Sequence, residues 1–89
     1  MNDNKDLEKL LKALANRRRL AIIYYLKKAK EASVGEIASV IRLSFKATSK
    51  HLGILFMVDI LGKEQRSLQM FYSINRNQQP FTSRIVSFL

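Results

Sequence analysis

The chain reads as a mainly α fold of the α+β class, with four to five helices and a two-stranded β-hairpin placed before the last of them. Two observations predict this. Apolar residues recur at helical spacing near 7–14, 20–26, 37–41, 45–55 and 81–88, and the period falls to two between about 60 and 74. A third bounds the size: 89 residues make one small domain, with a modest core and a reason to seek stability in a second subunit.

The first six residues are polar and read as frayed. Leu7, Leu10, Leu11 and Leu14 then stand at i, i+3, i+4 and i+7, which makes an amphipathic helix over about 5–15. Its leucine stripe serves either the core or a second subunit, and the sequence leaves both open. Asn16 suits the cap of a second helix, apolar nearly all round through Leu20, Ile22, Ile23, Tyr24 and Leu26, hence the buried centre. Lys27, Lys28 and Lys30 suit the negative end of that helix dipole, whereas Arg17, Arg18 and Arg19 oppose the positive end and gain from a nearby phosphate.

Glu31 to Val34 reads as a short link with at most one extended bridge. Ser33 and Glu36 have the spacing of a capping box, so a short third helix follows through Ile37, Ala38, Val40 and Ile41. Arg42-Leu43 turns the chain into Ser44, the cap of a fourth helix on which Thr48, Leu52 and Leu55 share an apolar face with Phe45 at its edge. Lys46, Ser49, Lys50 and Gly53 share the other. Two short helices joined so tightly, with small Ala38 where their backbones approach, make a helix-turn-helix over about 34–56. Arg42 stands where such turns often have glycine.

Ile60 to Gln65 and Gln69 to Ile74 read as two strands. The tip lacks an Asn-Gly or Asp-Gly pair, which predicts a longer loop around Arg66-Ser67-Leu68. A helix-turn-helix followed by a basic hairpin over about 60–74 is a winged helix, whose helix takes the major groove while the hairpin follows the backbone or minor groove. Pro80 opens a last helix over about 80–89, with Phe81, Ile85 and Phe88 on an apolar face.

Charge agrees with this. Sixteen Lys+Arg against seven Asp+Glu give a formal +9, which points to a polyanionic partner. Absence of cysteine excludes disulfides, thiolate metal sites and a cysteine nucleophile. A Gly-rich phosphate loop, closely spaced carboxylates and a second histidine are also missing, so an enzyme is not expected, nor a cofactor. The apolar runs are too short to span a bilayer and the N-terminus is polar, so the expected place is the cytoplasm, with no membrane partner.

The segments Leu14 to Ile23, Ser33 to Ala38, Ser44 to Leu55 with its Ser49-Lys50-His51-Leu52 core, and Met70 to Ile74 together resemble the ArsR family of small winged-helix repressors over residues 7 to about 75. The resemblance implies DNA contact through residues 44 to 53 and a wing at about 62 to 70. Candidate DNA-binding residues are therefore Ser44, Phe45, Lys46, Thr48, Ser49, Lys50 and His51 on the helix. Lys63, Gln65 and Arg66 join them on the wing, and Arg17 and Arg19 at the second helix. It also implies a homodimer formed by the first and last helices, with Leu7, Leu10, Leu11, Leu14, Phe81, Ile85 and Phe88 at the interface, meeting an inverted-repeat operator. Ser33 and Gly35 stand where metal-sensing members carry a cysteine pair, and the last helix has no His or carboxylate, so no metal is expected and the effector is unknown. Phe45 replaces a side chain that is usually polar in the family. A sequence-specific double-stranded DNA regulator, a repressor, is the leading reading. A basic RNA-binding or ribosome-associated winged helix is the alternative, because charge alone does not separate the two.

Overall fold

Leu10, Ala13 and Leu14 are buried together on one stripe of α1 (Asn4–Leu14), the helix that opens the computed structural model, which describes residues 4–89. Of the six residues expected to fray, residues 1–3 lie outside the described residues and Asn4 to Asp6 are already helical. Asn16 caps α2 (Arg17–Ala29) as expected, its side-chain oxygen accepting from the Arg19 amide at 3.0 Å. Ile22, Ile23 and Leu26 form the centre of the core, but Leu20 and Tyr24 are exposed, so α2 is buried on one side only. Lys28 lies over the Tyr24 ring one turn back, a cation–π contact that makes an exposed aromatic tolerable there. Lys27 turns elsewhere: its ammonium donates to the carbonyls of Val86, Ser87 and Leu89, tying α2 to the end of the last helix.

Glu31 to Ser33 form a true strand, β1, rather than a single bridge. It precedes α3 (Val34–Ile41) and α4 (Phe45–Met57) in the chain, and β2 (Leu61–Arg66), β3 (Gln69–Ile74) and α5 (Pro80–Ser87) follow. The sheet has three antiparallel strands in the order β1-β3-β2, with Glu31 opposite Ser73 on one side of β3 and Arg66 opposite Gln69 on the other. Its core-facing residues Ala32, Leu61 and Tyr72 close the box of helices around Leu52, Leu55, Ile60 and Ile37. Ser33 caps α3 through its hydroxyl, but Glu36 does not return the bond: its carboxylate accepts from the Tyr25 hydroxyl, fixing α3 to α2. Among the described residues no helix is long and apolar enough to cross a membrane.

Candidate nucleic-acid interface

The turn between α3 and α4 is made without glycine. Arg42 takes left-handed backbone angles (φ 58°, ψ 49°), and the amides of Arg42 and Leu43 both return to the Ala38 carbonyl. This is a helix C-terminus of the kind glycine normally closes, held here at a cost of order 1 kcal/mol because neighbouring packing fixes it. Ser44 follows with extended angles and caps α4 through its hydroxyl, which accepts from the Ala47 amide at 3.1 Å. Buried Leu52 and Leu55 seat the inner face of α4. Lys46 and Lys50 stand exposed on the outer face, with half-buried Ser49 and Gly53 between and beyond them. Among the described residues neither lysine is held in an ion pair or hydrogen bond, so both charges are free for an external anion. Phe45, placed by sequence at the edge of the apolar face, is 62% exposed at the first helical position.

Two sequence expectations change here. Thr48 is fully buried beneath α4 and its hydroxyl finds no hydrogen-bond partner among the described residues, so it cannot touch DNA. The spacing that put it beside Leu52 and Leu55 already implied this. Arg19 is the second correction. Its guanidinium donates to the Ala13 and Lys12 carbonyls at 2.6 and 3.2 Å and lies 3.2 Å from His51 Nδ1, so it is turned inward. With Ala15 N on Leu11 O and Asn16 N on Leu14 O, all four terminal carbonyls of α1 are thereby satisfied. Arg18 does the same for α3, donating to the Ile41 carbonyl at 3.3 Å. Two of the three arginines thus answer helix C-termini rather than phosphate, and Arg17 alone of the three is exposed without such a contact among the described residues. His51 is held by Arg19 on the flank of α4. Its pKa is pushed below the usual histidine value by burial and then by the charges of Arg19, Arg18 and Lys50, and because a guanidinium can only donate, Nδ1 is the acceptor in the Arg19 contact.

The wing is tighter than expected: Ser67 and Leu68 alone make the turn, Ser67 with φ 56°, instead of a longer loop. Arg66 closes the base of that turn as the last residue of β2. It makes a bidentate pair with Glu31 of β1 at 2.7 and 2.8 Å, a further bond to Glu64 at 2.9 Å, and stacks 4.6 Å over the Phe71 ring. Its guanidinium therefore crosses the central strand and ties the two edges together, so it is no free phosphate ligand. Glu31 is correspondingly held below the usual carboxylate range by that bond. Lys63 leans on Phe56 of α4 at 4.3 Å and remains exposed, as does Gln65. Leu68, which sequence reading assigned no role, is 96% exposed at the tip.

The leucine stripe of α1 divides. Leu10 and Leu14 are core residues of the protomer and cannot form an intersubunit contact, whereas Leu11 is exposed and Leu7 half-buried at the outer edge of the same stripe. On α5, Phe81 is exposed and Ile85 half-buried, and Phe88 at its end is 84% exposed. Asp6, Lys9 and Leu10 of α1 line one cleft with Gln79 and Thr82 at the start of α5. Among the described residues no three of His, Cys, Asp and Glu come together as metal ligands would.

Comparison with known proteins fits this geometry. The family described as "Bacterial regulatory protein, arsR family" matches residues 16–61, more than half of the chain and the whole of the path from α2 to the start of β2. The chain belongs to the ArsR family. Its likeness extends to the transcriptional activator HlyU of Vibrio cholerae, 38% identical over 69 residues, which cover 78% of this chain and 63% of the relative; the chain thus matches less than two thirds of that protein's length. The solved structure of HlyU from Vibrio cholerae superposes on the ArsR-family fold seen here with TM-score 0.81 at 31% identity, covering 99% of this chain and 92% of that one. The transcriptional repressor PagR of Bacillus anthracis superposes with TM-score 0.74 at 28% identity over 94% and 92%. A homodimeric winged helix-turn-helix DNA-binding domain of Mycobacterium bovis shares the fold at TM-score 0.79 and 24% identity, over 99% of this chain and 82% of that one.

Proposed function

We propose that this ArsR-family chain is a sequence-specific double-stranded DNA-binding regulator of transcription, working as a homodimer on an inverted repeat. The observation that carries the reading is the outer face of α4, where Lys46, Ser49, Lys50 and Gly53 leave a small, hydroxylated and cationic surface free on a helix fixed at both ends. Such a face fits a major groove, with Lys46 and Phe45 nearest the base edges at the helix N-terminus and Lys50 nearer the backbone. Ser44 lies beside the phosphates, Lys63 and Gln65 reach the flanking groove, and Arg17 adds a phosphate contact. Repression is the simpler outcome, since a bound dimer excludes other proteins from the same promoter DNA. PagR is named a repressor and HlyU an activator, so the sign rests on the chain's own promoter.

Selection of binding sites from random duplexes, with total RNA as competitor, tests the reading directly. Enrichment of an inverted repeat that RNA does not displace is expected. Lys46→Ala then costs about 1–3 kcal/mol on that site and less on scrambled duplex. Enrichment of nothing, with RNA displacing all duplex, would move the chain to the RNA-binding alternative.

A further inference from the structure

Between α1 and α4 lies a cleft of about 620 Å³, lined by Ala13, Gly53, Ile54, Met57 and Val58 and rimmed by Lys9, Lys12, Arg19 and Lys50. We propose that this cleft binds a small amphipathic organic anion, a carboxylate on an apolar body, and that its occupancy weakens DNA binding by engaging Lys50. Gly53 gives the first reason. A glycine inside α4 costs about 1 kcal/mol relative to alanine, yet a methyl group built there meets nothing within 4 Å. The protomer's own packing leaves this place open, as it also does at Gly35 and Gly62, but Gly53 alone of the three stands inside a helix on the wall of this cleft.

The chemistry of the walls names what enters. The side chains of Ala13, Ile54, Met57 and Val58 offer an apolar floor that a phosphate backbone would not use, and exposed Met57 suits a ligand of irregular shape. The rim is cationic from both helices. Arg19 is already satisfied by carbonyls and His51, and Lys12 lies 3.7 Å from Glu8 in a largely solvated pair, so Lys9 and Lys50 carry most of the uncommitted charge. A second copy of the chain does not compete for this place. At 3.6 residues per turn Leu7 and Leu11 fall on the far side of α1 from Lys9 and Ala13, which leaves the cleft open in a dimer built on those leucines. Lys50 belongs both to this rim and to the outer face of α4, so a carboxylate held there removes a cation from the DNA surface. This regulatory half rests on the DNA-binding reading; the binding half does not.

Decanoate titrated into the full chain, followed by amide NMR, tests the binding half, with Gly35 and Gly62 as internal controls for Gly53. A saturable shift of Gly53 is expected with the other two glycines unmoved, and decyltrimethylammonium is expected to leave all three in place. Lys9→Glu/Lys12→Glu weakens decanoate by about tenfold or more, and Gly53→Leu, its fold checked by circular dichroism, removes binding by filling the cleft. Equal shifts at all three glycines, equal response to the cationic amphiphile, or unchanged affinity in the double lysine variant would overturn the site. For the second half, saturating decanoate is expected to weaken duplex binding about tenfold. A shifted Gly53 with unchanged duplex affinity overturns the regulation alone, whereas a protein that takes decanoate but never binds duplex refutes the DNA reading and leaves the cleft standing.

Discussion

Phe45 is the residue at which sequence and structure together say something neither says alone. By spacing it belongs at the edge of the apolar face of α4; in the structure it is 62% exposed at the start of that helix, beside Lys46. In a major groove a phenyl ring has one specific partner, the C5 methyl of thymine. Replacing each thymine of the selected site in turn by uracil should therefore cost wild type about 1 kcal/mol at one position per half-site, while Phe45→Ser is indifferent to the change. A wild type insensitive to every uracil would assign Phe45 to packing or backbone contact. His51 yields a second residue-scale expectation. Its pKa is lowered in the fold, by burial first and then by Arg19, Arg18 and Lys50. The unfolded chain therefore binds more protons than the folded one between that lowered value and about 6.5, and stability rises with pH across this window. Melting temperatures should fall as pH drops from about 7 toward 5, and fall less in His51→Gln; parallel curves would show that other groups carry the dependence. Much at this scale was legible. The caps at Asn16 and Ser44 form as read, and at Ser33 the hydroxyl half of the capping box forms without its carboxylate half, because hydroxyl and amide capping is local chemistry between residues three apart. Arg19 was misassigned because its partners lie on other helices, which periodicity along one helix cannot show, whereas Thr48 was misassigned against its own spacing, which already set it beside Leu52 and Leu55.

At the scale of elements, the hairpin shows what local signals miss. The sequence has two strands and no favoured turn dipeptide, yet the turn is two residues long and β1 joins as a third strand. Arg66 gripping Glu31 across β3, and the pairing of Ala32 with Tyr72, join β1 to this hairpin from outside the turn. No short-range pattern encodes a contact between residues 31 and 66. The same contact changes what the wing does with its charge. Arg66 meets two carboxylates, so its removal should reduce the salt dependence of DNA binding by well under one unit, whereas Lys63→Ala removes an uncompensated cation and should reduce the slope by about one. Glu31→Gln should move the slope the other way by loosening the guanidinium. Equilibrium binding across a salt series reads all three, and a full unit lost in Arg66→Ala would mean that phosphate outcompetes Glu31 and Glu64. The helix-turn-helix, by contrast, was legible to within a residue or so, since its helices are short, capped and separated by a turn too tight to arrange otherwise. Only the left-handed Arg42 was unmarked by its residue type.

On the scale of the whole molecule, the order of elements was readable because each change of period falls between separate elements, and the family profile matches the part where the order is most specific. What the sequence left open was the destination of the apolar stripes on the terminal helices. The structure divides them: Leu10 and Leu14 go inward, while Leu11, Phe81 and Phe88 remain on the surface, with Leu7 and Ile85 half-covered beside them. Outward apolar residues on both terminal helices are surface that a small protein seldom leaves in water, and a two-fold axis lets such surface cover its own copy. The change that tests this must avoid the core. Leu10→Glu would bury a charge and unfold the protomer, so Leu11→Glu/Phe88→Glu is the informative pair. Sedimentation should show a dimeric wild type and a folded monomeric variant, the fold judged by circular dichroism. A dimer built on these helices carries two copies of α4, and their spacing of about 34–36 Å, one turn of B-DNA, requires an inverted repeat with half-sites one turn apart. Doubling the phosphate contacts also doubles the salt slope between half-site and full-site duplexes in the wild type but not in the variant. A monomeric wild type that binds half-sites and full sites with the same affinity and slope would refute the dimer and, with it, the expectation of a palindromic operator.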